Sequence, residues 1–211
     1  MMSDMYKITD TNFSMPTAYR DTYGGFADWR TSSTLAQNSR YSKTSTEVVA
    51  NVEAQIDSTI ERTAQWFLSM SSMSNKKLQK LCYYAYCWFI VFFNDVESIT
   101  LKNCDEIRVL CADRFQAWIH GPVSPRLYFR YKEYGWRDIP MLKEKPVINA
   151  ELEALFQQVW DAYGSFTADE LEAISHRETP WLNARRGVAK GEACSNEISN
   201  YDILLYYSSL G

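Results

Sequence analysis

Helical spacing begins at about Val48, where Ile56, Ile60, Ala64, Phe67 and Leu68 recur every three to four residues and predict an amphipathic helix. Ser58 and Glu61 stand as a capping box and allow a break near residue 58. A second stripe, Leu78, Leu81, Cys82, Ala85, Phe89 and Phe92, predicts a helix from about Asn75 to Asn94, capped by Ser74. Its stretch Tyr86 to Phe93 is apolar nearly all round, as in a helix surrounded by others, so this is the expected central helix.

The helical period fades between Ile99 and Ile119. The short runs Ile107 to Leu110 and Phe115 to Ile119 read as strands around a bend at Asp113 and Arg114. Ser124 followed by Pro125 reads as an N-cap and first helical residue, opening a helix to about Tyr134 that Gly135 stops. Asn149 caps the next helix, with Leu152, Leu155, Phe156, Val159, Trp160 and Tyr163 in period and an end at Gly164. Thr167 and Glu170 form a capping box with Phe166 and Leu171 as its hydrophobic staple. That helix should end near Glu178, since Pro180 restricts Thr179; Thr179 and Pro180 then read as the cap and first residue of a short helix to Arg186 and Gly187. A last helix is expected from Asn200 to about Ser209. The fold class is therefore mainly α: a compact multi-helix domain around the helix at about 75–94, with a small β-element near 99–119.

Residues 1 to about 47 are rich in Ser, Thr, Asn, Asp and Gly and show no sustained period, which suggests a flexible arm. Its aromatic residues, Tyr19, Tyr23, Phe26, Trp29 and Tyr41 among them, exceed what a bare linker carries. The arm is expected to dock, either on its own domain or on a partner. The chain thus divides into an arm, residues 1–55, and a helical domain, residues 56–211.

The 211 residues allow one ordinary domain and an appendage, and the formal net charge of −4 argues against a dedicated nucleic-acid surface. The five cysteines form no C-x-x-C pair, which fits a reduced cytoplasm. Met1 to Asp10 lacks the apolar run of a signal peptide, and Ala85 to Phe93 is too short to span a bilayer. A soluble, cytoplasmic protein without a membrane partner is expected.

Candidate chemistry is sparse. His120, His176 and Glu178 allow a metal or acid–base reading, but no H-E-x-x-H or equivalent spacing converges on a metal, and hydrogen-bonding histidines are the simpler expectation. Cys82 and Cys87 lie on an apolar helix, where cysteine serves as a small hydrophobe. Gly187, Lys190 and Gly191 lack the order of a phosphate loop. Arg185, Arg186 and Lys190 read as a solvated basic helix end. No catalytic, cofactor or metal residues are assigned, and the abundance of Tyr and Trp favours a binder over an enzyme.

Three motifs carry a family resemblance. They are Lys77-Leu78-Gln79-Lys80-Leu81-Cys82-Tyr83-Tyr84-Ala85; the stretch Phe115 to Tyr128, with Trp118, Gly121, Pro122, Val123, Pro125 and Tyr128; and Leu171 to Arg185, with His176, Glu178, Pro180, Trp181 and Arg185. In order and spacing they resemble the Panacea domain of bacterial and phage toxin–antitoxin modules and of SocA-like proteolytic adaptors, from about residue 56 to the end. The resemblance implies a helical domain without enzymatic activity or cofactor, whose partner is a protein toxin encoded by a neighbouring gene. In the adaptor case the partners include a cellular protease. The resemblance leaves homo-oligomerisation open. The motif residues look structural, so Tyr19, Tyr23, Phe26, Trp29 and Tyr41 of the arm are the candidate partner contacts.

Overall fold

The computed structural model describes residues 60–210. The arm with Tyr19, Tyr23, Phe26, Trp29 and Tyr41, the expected helical start at Val48 and the cap at Ser58 lie outside the described residues.

The described residues contain seven α-helices and four short strands. In chain order they are α1 (Ile60–Met70), β1 (Met73–Ser74), α2 (Asn75–Phe93), β2 (Gln116–Trp118), β3 (Gly121–Val123) and α3 (Pro125–Tyr131). β4 (Asp138–Ile139), α4 (Ala150–Tyr163), α5 (Ala168–Ser175), α6 (Thr179–Ala184) and α7 (Asn200–Ser208) complete the fold. The Ser74, Ser124 and Asn149 side chains each accept a bond from the N–H three residues on, and Thr167 with Glu170 closes both halves of a capping box.

Helix α2 is the hub, packing against α1, α3, α4, α5 and α7. From Leu78 through Val91 every residue is buried, including Gln79 and Lys80. Aromatic rings fill the space around it. Tyr84 stacks on Tyr163 of α4 with centroids 4.0 Å apart, Trp88 meets Tyr207 of α7 edge-on, and both Tyr83 and Tyr86 contact Phe115. The Trp88 indole N–H donates to the Tyr163 hydroxyl at 3.2 Å, and the Tyr86 hydroxyl donates to Asn200 Oδ1 at 2.9 Å. Polar tips of core aromatics thus find partners across the core.

The β-structure differs from the expectation in its partners. Ile107 to Leu110 is not a strand; a 3-10 turn at Cys104–Glu106 precedes it. β2 pairs instead with β3 across a tight turn at Ile119 and His120, in the register Gln116 to Val123, Ala117 to Pro122 and Trp118 to Gly121. Glu197 bridges to Gln116 on the other edge, where Ile198 N–H donates to Phe115 O at 2.8 Å. A second antiparallel pair, β1 with β4, joins segments far apart in sequence. Helix α5 ends at Ser175 rather than near Glu178, and Glu178, not Thr179, is the N-cap of α6, without a side-chain capping bond. Helix α6 closes at Ala184, short of Gly187.

Candidate functional site

The three motifs meet at the β2–β3 hairpin. Its backbone carbonyls are caught by side chains from α2 on one side and from α6 and its end on the other. From α2, Lys80 Nζ donates to Pro122 O at 3.1 Å. The Gln79 carboxamide holds Ser124 twice, accepting from its N–H at 2.8 Å and donating to its C=O at 3.3 Å. From the third motif, the Trp181 indole N–H donates to Trp118 O at 3.1 Å, and the Arg185 guanidinium donates to Ala117 O at 2.8 Å and to Glu192 O at 2.6 Å. Arg185 also lies over the Trp181 ring, which stacks on His176 with centroids 4.1 Å apart. Arg185 is therefore a buried hydrogen-bonding residue and not the solvated helix end that the sequence suggested. Outside the hairpin, Lys77 of the first motif donates to Gly164 O at 2.7 Å, closing the end of α4.

Gly121 shows why this hairpin requires its sequence. Its φ of +93° lies in the region that favours glycine, and an added Cβ would stand 2.6 Å from Lys80 Cε and 2.8 Å from Ser175 Oγ. The backbone thus rests directly on the buried lysine stem and on the end of α5. Pro122 follows, and since it has no N–H to offer, its carbonyl does the bonding, to Lys80.

Two ionisable groups are buried in the interior, Lys80 against the hairpin and Glu178 against Tyr207. Burial pushes the Lys80 amine down to about 7, with the nearby Glu172 and Glu178 carboxylates pulling it up and Lys76 adding to the fall. Burial pushes the Glu178 carboxyl up to about 7, against the bonds of Tyr207 and Tyr84 and the charge of Lys80. The Tyr207 hydroxyl donates to Glu178 Oε2 at 2.8 Å. Neither group reaches solvent, so both act on the interior.

At the surface Glu172 gathers the histidines. It accepts from Lys76 at 2.6 Å, lies 3.0 Å from His120 Nδ1 and 4.0 Å from His176 Nε2. Burial pushes the Glu172 carboxyl up, but the bonds from Lys76 and His120 outweigh it and hold the group below the ordinary carboxylate range. Burial lowers His176, only partly offset by Glu172. The Ser175 hydroxyl donates to the Glu172 carbonyl at 3.0 Å. Among the described residues no group of three or more His, Cys, Asp or Glu side chains is placed to hold a metal ion.

A cavity of about 240 Å³ opens beside the hairpin, lined by Lys76, Lys80, Trp118, Ile119, His120, Val123, Tyr128 and Lys132 among others. A second depression, of about 350 Å³, shares Trp118 and Ile119 and is completed by Ala193 to Ser195. Trp118 meets Tyr128 edge-on at 4.8 Å and its indole N–H donates to Gln116 Oε1 at 2.8 Å. Of the second motif, Gly121, Pro122, Val123 and Pro125 are buried or half-buried, whereas Tyr128 is exposed.

The structure thus brings Trp118, Gly121, Pro122, Trp181 and Arg185 together at one hairpin, with His176 stacked on Trp181, and places Glu178 on Tyr207 in the interior. Sequence reading missed Gln79 and Lys80 as its anchors; their signal was polar residues beside the apolar stripe of the helix expected to be central. No described helix is long and apolar enough to cross a membrane. No curated protein and no solved structure matches the chain. A family model described as antitoxin SocA-like, Panacea domain, matches residues 78–182, about half of the chain; it begins one residue after Lys77 and stops before Arg185. The chain belongs to the antitoxin SocA-like family, with residues 78–182 as its Panacea domain.

Proposed function

We propose that this protein is the antitoxin of a toxin–antitoxin module and neutralises a protein toxin encoded by a neighbouring gene through direct binding. The observation that carries the reading is the Panacea-domain match together with the use its motif residues find. Lys80, Gln79, Trp181 and Arg185 are spent on backbone carbonyls of one hairpin, which is the work of a scaffold. The family supports a non-enzymatic role, in which a tight complex blocks or distorts the toxin's active surface.

In this reading the chain divides near residue 56. The domain from there onward serves as the scaffold, and the arm supplies partner contacts through Tyr19, Tyr23, Phe26, Trp29 and Tyr41. An aromatic arm that orders on binding can cover a large surface at modest affinity per unit area.

Co-expression with the product of the adjacent reading frame tests the proposal. Growth arrest by that product alone, relieved by this chain, is expected. Absence of toxicity, or of rescue, would remove the reading. The family description also names SocA, which favours a second reading as an adaptor that hands the toxin to a protease. Immunoblotting separates the two, since an adaptor makes the toxin disappear and a simple antitoxin leaves it in a stable complex.

A further inference from the structure

The 240 Å³ cavity beside the hairpin has a composition unlike the rest of the molecule. Its ionisable lining groups are Lys76, Lys80, His120 and Lys132 together with the Tyr128 phenol, and no carboxylate lines it. Its apolar wall is formed by Trp118, Ile119, Val123 and the Tyr128 ring, Asn75 and Gln79 add neutral polar groups, and Lys80 is buried and already bonded to Pro122 O. Lys76 and His120 are both paired with Glu172, which leaves Lys132 with no ion pair among the described residues; its ammonium lies 5.5 Å from the Phe129 ring centroid.

Apolar surface continues beyond the cavity. Ile119, Tyr128, Phe129 and Trp136 are all exposed, Trp136 at 90%, and Tyr128 contacts both Trp118 and Phe129. Exposed aromatic groups joined around a depression mark interaction sites more often than solitary surface side chains do. Between Pro125 and Arg137, Arg126, Arg130, Lys132 and Arg137 stand against the single acid Glu133, in a chain whose formal net charge is −4. Arg126 is paired with Glu61, which leaves Arg130, Lys132 and Arg137 against that one acid in the segment beside the cavity.

We propose that this groove is a docking site for an acidic polypeptide segment of a partner protein, which seats one bulky apolar side chain in the cavity and sets its carboxylates against Lys132. The volume suits an anchor residue; drug-sized ligands use pockets of roughly 300 Å³ and more. Aromatic anchors in pockets with a charged rim carry most of the energy in protein interfaces. A single nucleic-acid strand would need a basic track along its backbone, whereas here the basic groups nearest the surface, Lys76, His120 and Lys132, line one depression on a net-negative protein. The site lies wholly within residues 75–136 and goes beyond the arm-based reading, so it can fail or stand without it.

The test pans a displayed library of random peptides about 12 residues long against the full-length chain. The enriched peptides are then synthesised with fluorescein and titrated by anisotropy. Expected are peptides rich in Asp and Glu around one aromatic or large aliphatic residue, binding at least tenfold more weakly at high salt. Lys132→Glu and Ile119→Ser are each expected to weaken binding tenfold while leaving the circular-dichroism melt unchanged. Four outcomes would overturn the proposal: no enrichment, enrichment without acidic bias, equal affinity for Lys132→Glu, or displacement of the peptide by a 12-nucleotide oligo-dT, which would assign the groove to nucleic acid.

Discussion

Replacing Gly121 with Ala adds one methyl group at the point where the three motifs touch. Two independent costs follow. The residue must hold φ of +93°, which for a side chain bearing Cβ costs about 1 to 3 kcal/mol. The new methyl also meets Lys80 Cε at 2.6 Å, Ser175 Oγ at 2.8 Å and Lys80 Nζ at 2.9 Å. Lys80 is fully buried and bonded to Pro122, so it yields only by losing that bond or shifting α2; such overpacking costs about 1 to 3 kcal/mol. Together these give about 4 kcal/mol, on the order of a 10 °C fall in melting temperature for a chain of this size. Urea denaturation followed by tryptophan fluorescence measures it. Combining Gly121→Ala with Lys80→Ala removes the Cε and Nζ overlaps while leaving the φ strain, so the double variant should lose about 1 to 3 kcal/mol less than the sum of the singles. A loss below about 1 kcal/mol for Gly121→Ala, or strict additivity of the pair, would refute the reasoning.

Arg185→Met keeps the stem against Trp181 but strands the carbonyls of Ala117 and Glu192; a loss of about 3 kcal/mol in urea denaturation is expected, from the usual worth of charge-assisted bonds. Glu178 titrates near 7 when folded against 4.5 as its ordinary value, so the native state holds the proton longer than the unfolded one. Its stabilising contribution is present below about pH 4.5 and is lost as pH rises through about 7. Glu178→Gln cannot titrate, so relative to the parent it should gain about 3 kcal/mol between pH 4 and pH 8, at roughly 1.4 kcal/mol per unit; denaturation curves at the two pH values check this. Deleting residues 1–47 should weaken neutralisation while leaving the circular-dichroism spectrum helical, and full neutralisation by the truncated chain would count against the arm as the partner contact.

Legibility in the sequence followed the range of the interaction. The caps at Ser74, Ser124, Asn149 and Thr167 were readable because a cap is settled within four residues. The central helix was readable because its apolar stripe is continuous and its stretch Tyr86 to Phe93 is apolar nearly all round. Gly121 to Val123 carries no alternating pattern, yet it forms a strand because Gln116 to Trp118 pair with it across Ile119 and His120. β1 and β4 are two residues each and pair over a long separation, which no local pattern records. Lys80 and Arg185 act on carbonyls 42 and 68 residues away, so periodicity assigned them no role. Trp118 was recognisable as a motif residue, but its place in the groove wall required the packing of α2 and α3 around it.

The central claim is that a scaffold built from these motifs neutralises a partner by holding it. Size-exclusion chromatography with light scattering, run on lysates of cells co-expressing this chain and the adjacent gene product, tests it most directly. One peak containing both chains in fixed ratio is expected in every culture whose growth is restored. Restored growth with the two chains eluting apart, and with the toxin's level undiminished, would contradict it.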